Sequence, residues 1–153
     1  MNEERHIRRA GPEDIFRLAE IEIFNYRLNF YPIFQNDDYY FAELRTDAMS
    51  AEYHNHPEWV RKTFVYADPA VKGFVRVSEK QIEKLFVEPV LQGHGIGKLL
   101  LNHAVNACGA SWLWALEKNQ RAVAFYERNC FFPTGEKMPE EGTAEYLIRL
   151  EKR

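Results

Sequence analysis

Apolar residues recur along this chain with two different periods, and the change from one to the other lays out the fold. A short strand-like start at Ile7 is followed by Gly11-Pro12-Glu13-Asp14, which has the makings of a helix N-terminus: proline in the first turn and acids at the positive helix end. Ile15, Leu18, Ala19 and Ile23 then form one stripe at helical spacing. Three short β-rich runs follow at 63–67, 73–78 and 81–87, parted by Asp68-Pro69 and Ser78-Glu79-Lys80, and they predict an antiparallel meander. His54-Asn55-His56-Pro57 ahead of them reads as a loop. Past Pro89 the helical period returns in Ile96, Leu99, Leu100, Ala104 and Ala107 and stops at Gly109. Residues 112–117 predict a strand, Asn119 caps a helix carrying Ala122, Val123, Phe125 and Tyr126, and 143–150 alternate as a closing strand. Strands and helices interleaved in this order predict an α/β (α+β) class, a mixed sheet with helices on its faces.

Composition narrows the function classes. At 153 residues, with 46% apolar and 14% aromatic positions, the chain predicts a single ordered domain over 1–153. Twenty Lys and Arg stand against 23 Asp and Glu, a net charge of -3, so no basic field exists to hold nucleic acid. Cys108 and Cys130 have no metal-ligand spacing, and His54 and His56 lack a third ligand, so no metal is expected. Charged residues fill the first thirty positions, and the longest uncharged run, 99–116, is broken by polar residues. These features predict a cytoplasmic protein with reduced thiols and no membrane partner. One segment stands out: residues 24–41 hold eight aromatics in eighteen positions, against fewer than three expected from the chain average. That surface could be part core, part wall of a ligand pocket, or the face of a homodimer.

The stretch with the most chemistry is Leu85-Phe86-Val87-Glu88-Pro89-Val90-Leu91-Gln92-Gly93-His94-Gly95-Ile96-Gly97-Lys98, a strand entering a helix through alternate glycines. A loop poor in side chains lets backbone amides close on an anion, and the following helix adds its positive end, so a phosphate is expected there. A Walker A loop needs glycine and Ser or Thr where Gln92 and Leu99 stand, and a Rossmann loop needs glycine where Lys98 stands. Both readings fail.

What remains, Gln-x-x-Gly-x-Gly at Gln92, Gly95 and Gly97, resembles the pyrophosphate signature of the GNAT superfamily of N-acetyltransferases. The likeness extends upstream, where 82–89 looks like the family's fourth strand, and downstream, where Asn119, Ala122, Phe125, Tyr126 and Phe131 follow its Asn-x-x-Ala-x-x-Phe-Tyr motif and the Phe beyond it. The resemblance implies a mostly antiparallel sheet flanked by about four helices, with strands 4 and 5 splayed apart. It implies acetyl-CoA as co-substrate, its pyrophosphate on the amides of Gly93, His94, Gly95, Ile96, Gly97 and Lys98 beside Gln92. Its pantetheine arm would lie along Leu85, Phe86 and Val87, with Asn119 nearby. In the family's terms the Val87 amide would be the oxyanion donor and Tyr126 the general acid, a role suited to a phenol with a pKa of about 10.

Two positions depart from the family pattern. A base-like glutamate common in the family is Gln81 here, and the nearest carboxylate on the same face is Glu83, taken as a base acting through water. The usual glycine before the family's Phe is Cys130, so another cap is expected in place of a left-handed turn. Plainer readings stand beside these: Tyr126 as a packing ring, Asn119 as an N-cap, Glu83 as a solvated strand residue. The leading functional expectation is transfer of an acetyl group to a primary amine of a small molecule or peptide by direct attack in a ternary complex, since neither motif supplies a nucleophilic cysteine. With Asp37, Asp38 and Glu43 beside the aromatics, the acceptor is expected to be cationic and partly apolar. The alternative is a non-catalytic acyl-CoA-binding module, and acetylation of aminoacyl-tRNA is disfavoured by the net charge.

Overall fold

The computed structural model describes residues 3–153, so positions 1 and 2 of the expected domain lie outside the described residues. Seven strands form one sheet: β1 (Ile7–Arg9), β2 (Thr63–Ala67), β3 (Val71–Ser78), β4 (Gln81–Val87), β5 (Trp112–Leu116), β6 (Phe131–Pro139) and β7 (Tyr146–Lys152), in the order β1-β2-β3-β4-β5-β7-β6. All neighbours are antiparallel except β4 with β5. The mixed sheet and the meander β2-β3-β4 are as the element order predicts, and the mostly antiparallel pairing is as the family resemblance implies.

Among the described residues there are six α-helices: α1 (Ile15–Asn29), α2 (Tyr31–Phe34), α3 (Thr46–Asn55), α4 (Pro57–Arg61), α5 (Ile96–Cys108) and α6 (Gln120–Arg128). The surplus over the expected four lies between α1 and β2. His54 and Asn55 close α3, and Pro57 opens α4, so the expected loop shrinks to His56. Proline lacks only a donor that a helix start cannot use, which makes it a helix opener as readily as a turn signal. Burial of Tyr53 and Val60 then anchors both short helices.

The sheet separates two cores. On one face α5 lays Ile96, Leu100, Leu101 and Ala104 against Val75, Val77, Ile82, Leu113 and Leu150, and α6 adds Tyr126. On the other, Ile15, Leu18 and Ile21 of α1 meet Val65 and Phe74. At roughly 2 kcal/mol for each large apolar side chain buried, these two layers hold the helices onto the sheet.

Two irregularities shape the space between the layers. β4 and β5 pair only at Gln81 with Trp112 and Ile82 with Leu113, so beyond Ile82 the strands diverge. Opposite β3, Arg76 faces Lys84 while Val77 faces Ile82, which leaves Glu83 as an extra residue in a β-bulge. The expected splay of strands 4 and 5 is present.

Candidate active site

A cavity of about 1240 Å³ opens where β4 and β5 part. Every site residue nominated from the sequence lines it except His94: Glu83, Leu85, Phe86 and Val87 from β4, Gln92, Gly93, Gly95, Ile96, Gly97 and Lys98 from the loop and α5, and Asn119 and Tyr126 from α6. The His94 ring sits on the exposed side of the loop with Nδ1 3.1 Å from the Leu91 carbonyl.

The loop conformation explains its glycines. Gly93 and Gly95 hold φ of +84° and +88°, in the left-handed region, and a β-carbon built on either would meet nothing within 4 Å. Their surroundings are open, so the demand for glycine comes from the backbone angle alone. Gly95 is the N-cap of α5, and the amides of Ile96, Gly97 and Lys98 in its first turn have no helical carbonyl to bond. Those donors and the helix dipole make the loop fit for a pyrophosphate. Gly97 packs its α-carbon on α6, where an added β-carbon would lie 3.5 Å from the Phe125 ring.

On the β4 edge the main chain is exposed to the gap. Glu88 donates its amide to the Lys72 carbonyl at 2.9 Å, toward β3. By the alternation of an antiparallel ladder, Val87 and Leu85 turn their amides and carbonyls the other way, where β5 no longer reaches. An extended ligand arm can add there as a strand would.

Tyr126 is 9% exposed, its ring packed edge-on against Phe125 and Phe131 with centroids 5.3 and 6.1 Å apart. Burial pushes its phenol well above the ordinary value, so it stays protonated. Asn119 caps α6, its Oδ1 accepting from the Ala122 amide at 3.3 Å, and it faces the cavity as well. Glu83, at the bulge, accepts from Arg76 Nε at 3.2 Å, and the Arg76 guanidinium lies 4.8 Å over the Trp59 ring.

Cys130 corrects one expectation. It holds φ +68°, so the left-handed turn after α6 is kept without glycine, and Asn129 Nδ2 donates to the Phe125 carbonyl at 2.8 Å beside it. The acids expected beside the aromatics need correction too. Asp37, Asp38 and Glu43 do not line the cavity, and Asp37 instead accepts from the Tyr31 hydroxyl at 2.5 Å. Tyr39 and Tyr40 line it, and the acids there are Glu83 and, from the β6–β7 connection, Glu140, Glu141 and Glu145.

Sequence reasoning missed a polar group on α1. Glu22, 4% exposed, accepts from Tyr53 at 2.7 Å, Tyr26 at 2.5 Å and Lys84 at 2.6 Å, and Lys84 also bonds the Tyr26 hydroxyl. Asn25, 2% exposed, donates to the carbonyls of Ile21 and Val87, each at 2.9 Å. The available signal was position: Glu22 and Asn25 continue the stripe begun by Ile15, Leu18 and Ala19, where a polar residue must find a buried partner.

Comparison with known proteins agrees with this geometry. Residues 20–132 match the Acetyltransferase (GNAT) family. The peptidyl-lysine N-acetyltransferase YjaB of Escherichia coli (strain K12) is 32% identical over 98 residues, 58% of this chain and 67% of its own. A probable N-acetyltransferase of Mycobacterium tuberculosis is 42% identical over 57 residues, 36% of this chain and 33% of its own. Among solved structures, apo-form YjaB superposes with a TM-score of 0.71 at 24% identity over 95% of both chains. The PaiA N-acetyltransferase of Thermoplasma acidophilum, solved in complex with coenzyme A, gives 0.66 at 18% identity over 95% of this chain and 97% of its own. The shared fold extends across nearly the whole chain, and the family match runs from α1 into β6, taking in the glycine loop, the open β4 edge and Tyr126; the chain belongs to the acetyltransferase (GNAT) family.

Proposed function

We propose that this chain is an N-acetyltransferase that moves an acetyl group from acetyl-CoA to a primary amine of a small molecule or peptide. The observation that carries the reading is the continuity of one cavity, from the unpaired amides at the start of α5, along the open edge of β4, to Tyr126. Coenzyme A in the PaiA complex and the peptidyl-lysine activity in the YjaB name support it.

Acetyl-CoA supplies the thioester. The loop amides from Gly93 to Lys98 hold its pyrophosphate, and Leu85, Phe86, Val87 and Asn119 hold its arm. The Val87 amide donates to the carbonyl oxygen that gains charge as the amine adds. Glu83, through a water, takes the proton of the incoming ammonium, which an alkyl amine of pKa about 10 carries at neutral pH. The carbon–nitrogen bond forms, the carbon–sulfur bond breaks as Tyr126 gives its proton to the departing sulfur, and the second proton of the former ammonium leaves the new amide nitrogen for bulk water. Because burial disfavours the phenolate, Tyr126 recovers a proton readily between turnovers.

The acceptor enters past Tyr39, Tyr40 and the acids of the β6–β7 connection, a wall suited to a cationic and partly apolar amine. Cys108 and Cys130 are free, and among the described residues no helix is long and apolar enough to cross a membrane. A cytoplasmic reaction belongs to the same proposal, and the free thiols suit a reducing compartment, with the aromatic wall serving an acceptor in preference to a second copy of the chain. A panel of amines, polyamines, amino acids and lysine peptides, assayed for free thiol released from acetyl-CoA, tests the reading. Binding of CoA with no amine-dependent thiol release would leave a binding module.

A further inference from the structure

The carbonyl of Val87 is gripped from two sides. Asn25 Nδ2 on α1 donates to it at 2.9 Å, and Gln92 Nε2 at the head of the glycine loop donates to it at 3.1 Å. The two carboxamides also hold each other, Gln92 Nε2 donating to Asn25 Oδ1 at 3.0 Å. This oxygen points into the gap where β5 has left, so a strand partner does not satisfy it. Both of its lone pairs are used, and α1, β4 and the loop are tied at one atom.

We infer that Asn25 and Gln92 are positioning residues that hold Val87 for the reaction. The inference rests on the acetyl-transfer reading, in which the Val87 amide meets the thioester oxygen. That amide nitrogen is two bonds from the gripped carbonyl carbon and faces the same side of the strand, so whatever fixes the carbonyl fixes the donor. It also gives Gln92 a role other than touching pyrophosphate, because its amide nitrogen is spent on β4 and α1.

The test is steady-state kinetics of Asn25→Ala, Gln92→Ala and the double variant with acetyl-CoA and with S-acetylpantetheine, a thioester without pyrophosphate, using the best amine of the panel. Each single variant is expected to lose about ten- to hundredfold in kcat, the scale of a misplacement near 1 Å. The loss should be the same for both thioesters, with CoA affinity by calorimetry within about threefold of wild type. The double variant should lose little more than either single one, since both act through one oxygen. A Gln92→Ala loss that vanishes with S-acetylpantetheine would mean a pyrophosphate contact and overturn the inference, as would unchanged kcat. Asn25 is buried, so thermal melts accompany each variant, and half-buried Gln92 decides the matter if Asn25→Ala does not fold. Wild-type protein that releases no thiol with any amine would overturn the acetyl-transfer reading itself, whereas active wild type with equally active variants overturns only the clamp.

Discussion

Glu22 and Lys84 meet at 2.6 Å between α1 and β4, with the carboxylate 4% exposed and both of its oxygens bonded. Burial pushes the Glu22 carboxyl up, and the Lys84 ammonium with the Tyr26 and Tyr53 hydroxyls more than offsets it, leaving the group below its usual range. Lys84→Ala strands that charge and is expected to cost about 3–5 kcal/mol in urea unfolding, while Glu22→Gln combined with Lys84→Met, which removes the charge and keeps an acceptor for the Tyr53 hydroxyl, should recover most of the loss. The sign of the pH effect follows. A carboxyl with a depressed folded pKa stabilises fully above its unfolded value and loses that contribution as pH falls through the folded one. The wild-type urea midpoint should therefore drop below about pH 4 more steeply than that of the double variant.

The glycine loop gives a second test. Amides of the first turn of α5 are the proposed anion ligands, so Gly97→Glu should abolish CoA binding in calorimetry by placing a carboxylate against the pyrophosphate. Gly97 has ordinary backbone angles and room for a β-carbon, so the variant should still fold. Lys98→Ala should weaken binding less, and the opposite order would mean that the lysine side chain is the principal clamp.

Which features were legible in the sequence follows from the range of the forces involved. Gly93 and Gly95 could be read because a left-handed backbone is a local demand that one residue type meets. The apolar stripe of α5 could be read for the same reason. The Glu22–Lys84 pair could not, because its members lie 62 residues apart and each alone looks like a solvated charge. The bulge at Glu83 was hidden as well: a period of two cannot show an extra residue whose place is set by pairing with β3. The acids of the proposed acceptor wall escaped the sequence reading because nearness put Asp37 beside the aromatics, while the fold brings Glu140 and Glu145 into the cavity from the far end of the chain.

Cys130 offers a stability test independent of function. Its φ of +68° costs a residue with a β-carbon about 1–2 kcal/mol, more than the entropy that glycine gives up on folding. Cys130→Gly is expected to stabilise the protein by about 0.5–1 kcal/mol and to raise Tm by a few degrees in calorimetry. A lower Tm would show that the Cys130 side chain contributes packing that outweighs the strain.

Glu83→Gln separates the proposed base from a structural partner of Arg76. The amide oxygen can still accept from Arg76 Nε, so stability should be nearly unchanged. The carboxylate needed to take a proton is gone, and kcat is expected to fall by about 10². An unchanged kcat with stability retained would assign the base elsewhere.

Tyr126 carries the sharpest expectation. Its hydroxyl is assigned to protonating the departing sulfur, and burial in the α5–α6 layer keeps it in the acid form across the working pH range. General acid help is typically worth about 10² to 10⁴ in rate, whereas binding of coenzyme A should scarcely register the loss of one oxygen. Tyr126→Phe keeps the ring against Phe125 and Phe131, so Tm and CoA affinity should stay near wild type while kcat falls by that range. The loss should shrink with a thioester whose thiol is a better leaving group, because a more stable thiolate needs less help from an acid. Full kcat in the variant, measured where chemistry limits turnover, would reduce Tyr126 to a packing residue and leave water or the acceptor as the proton donor.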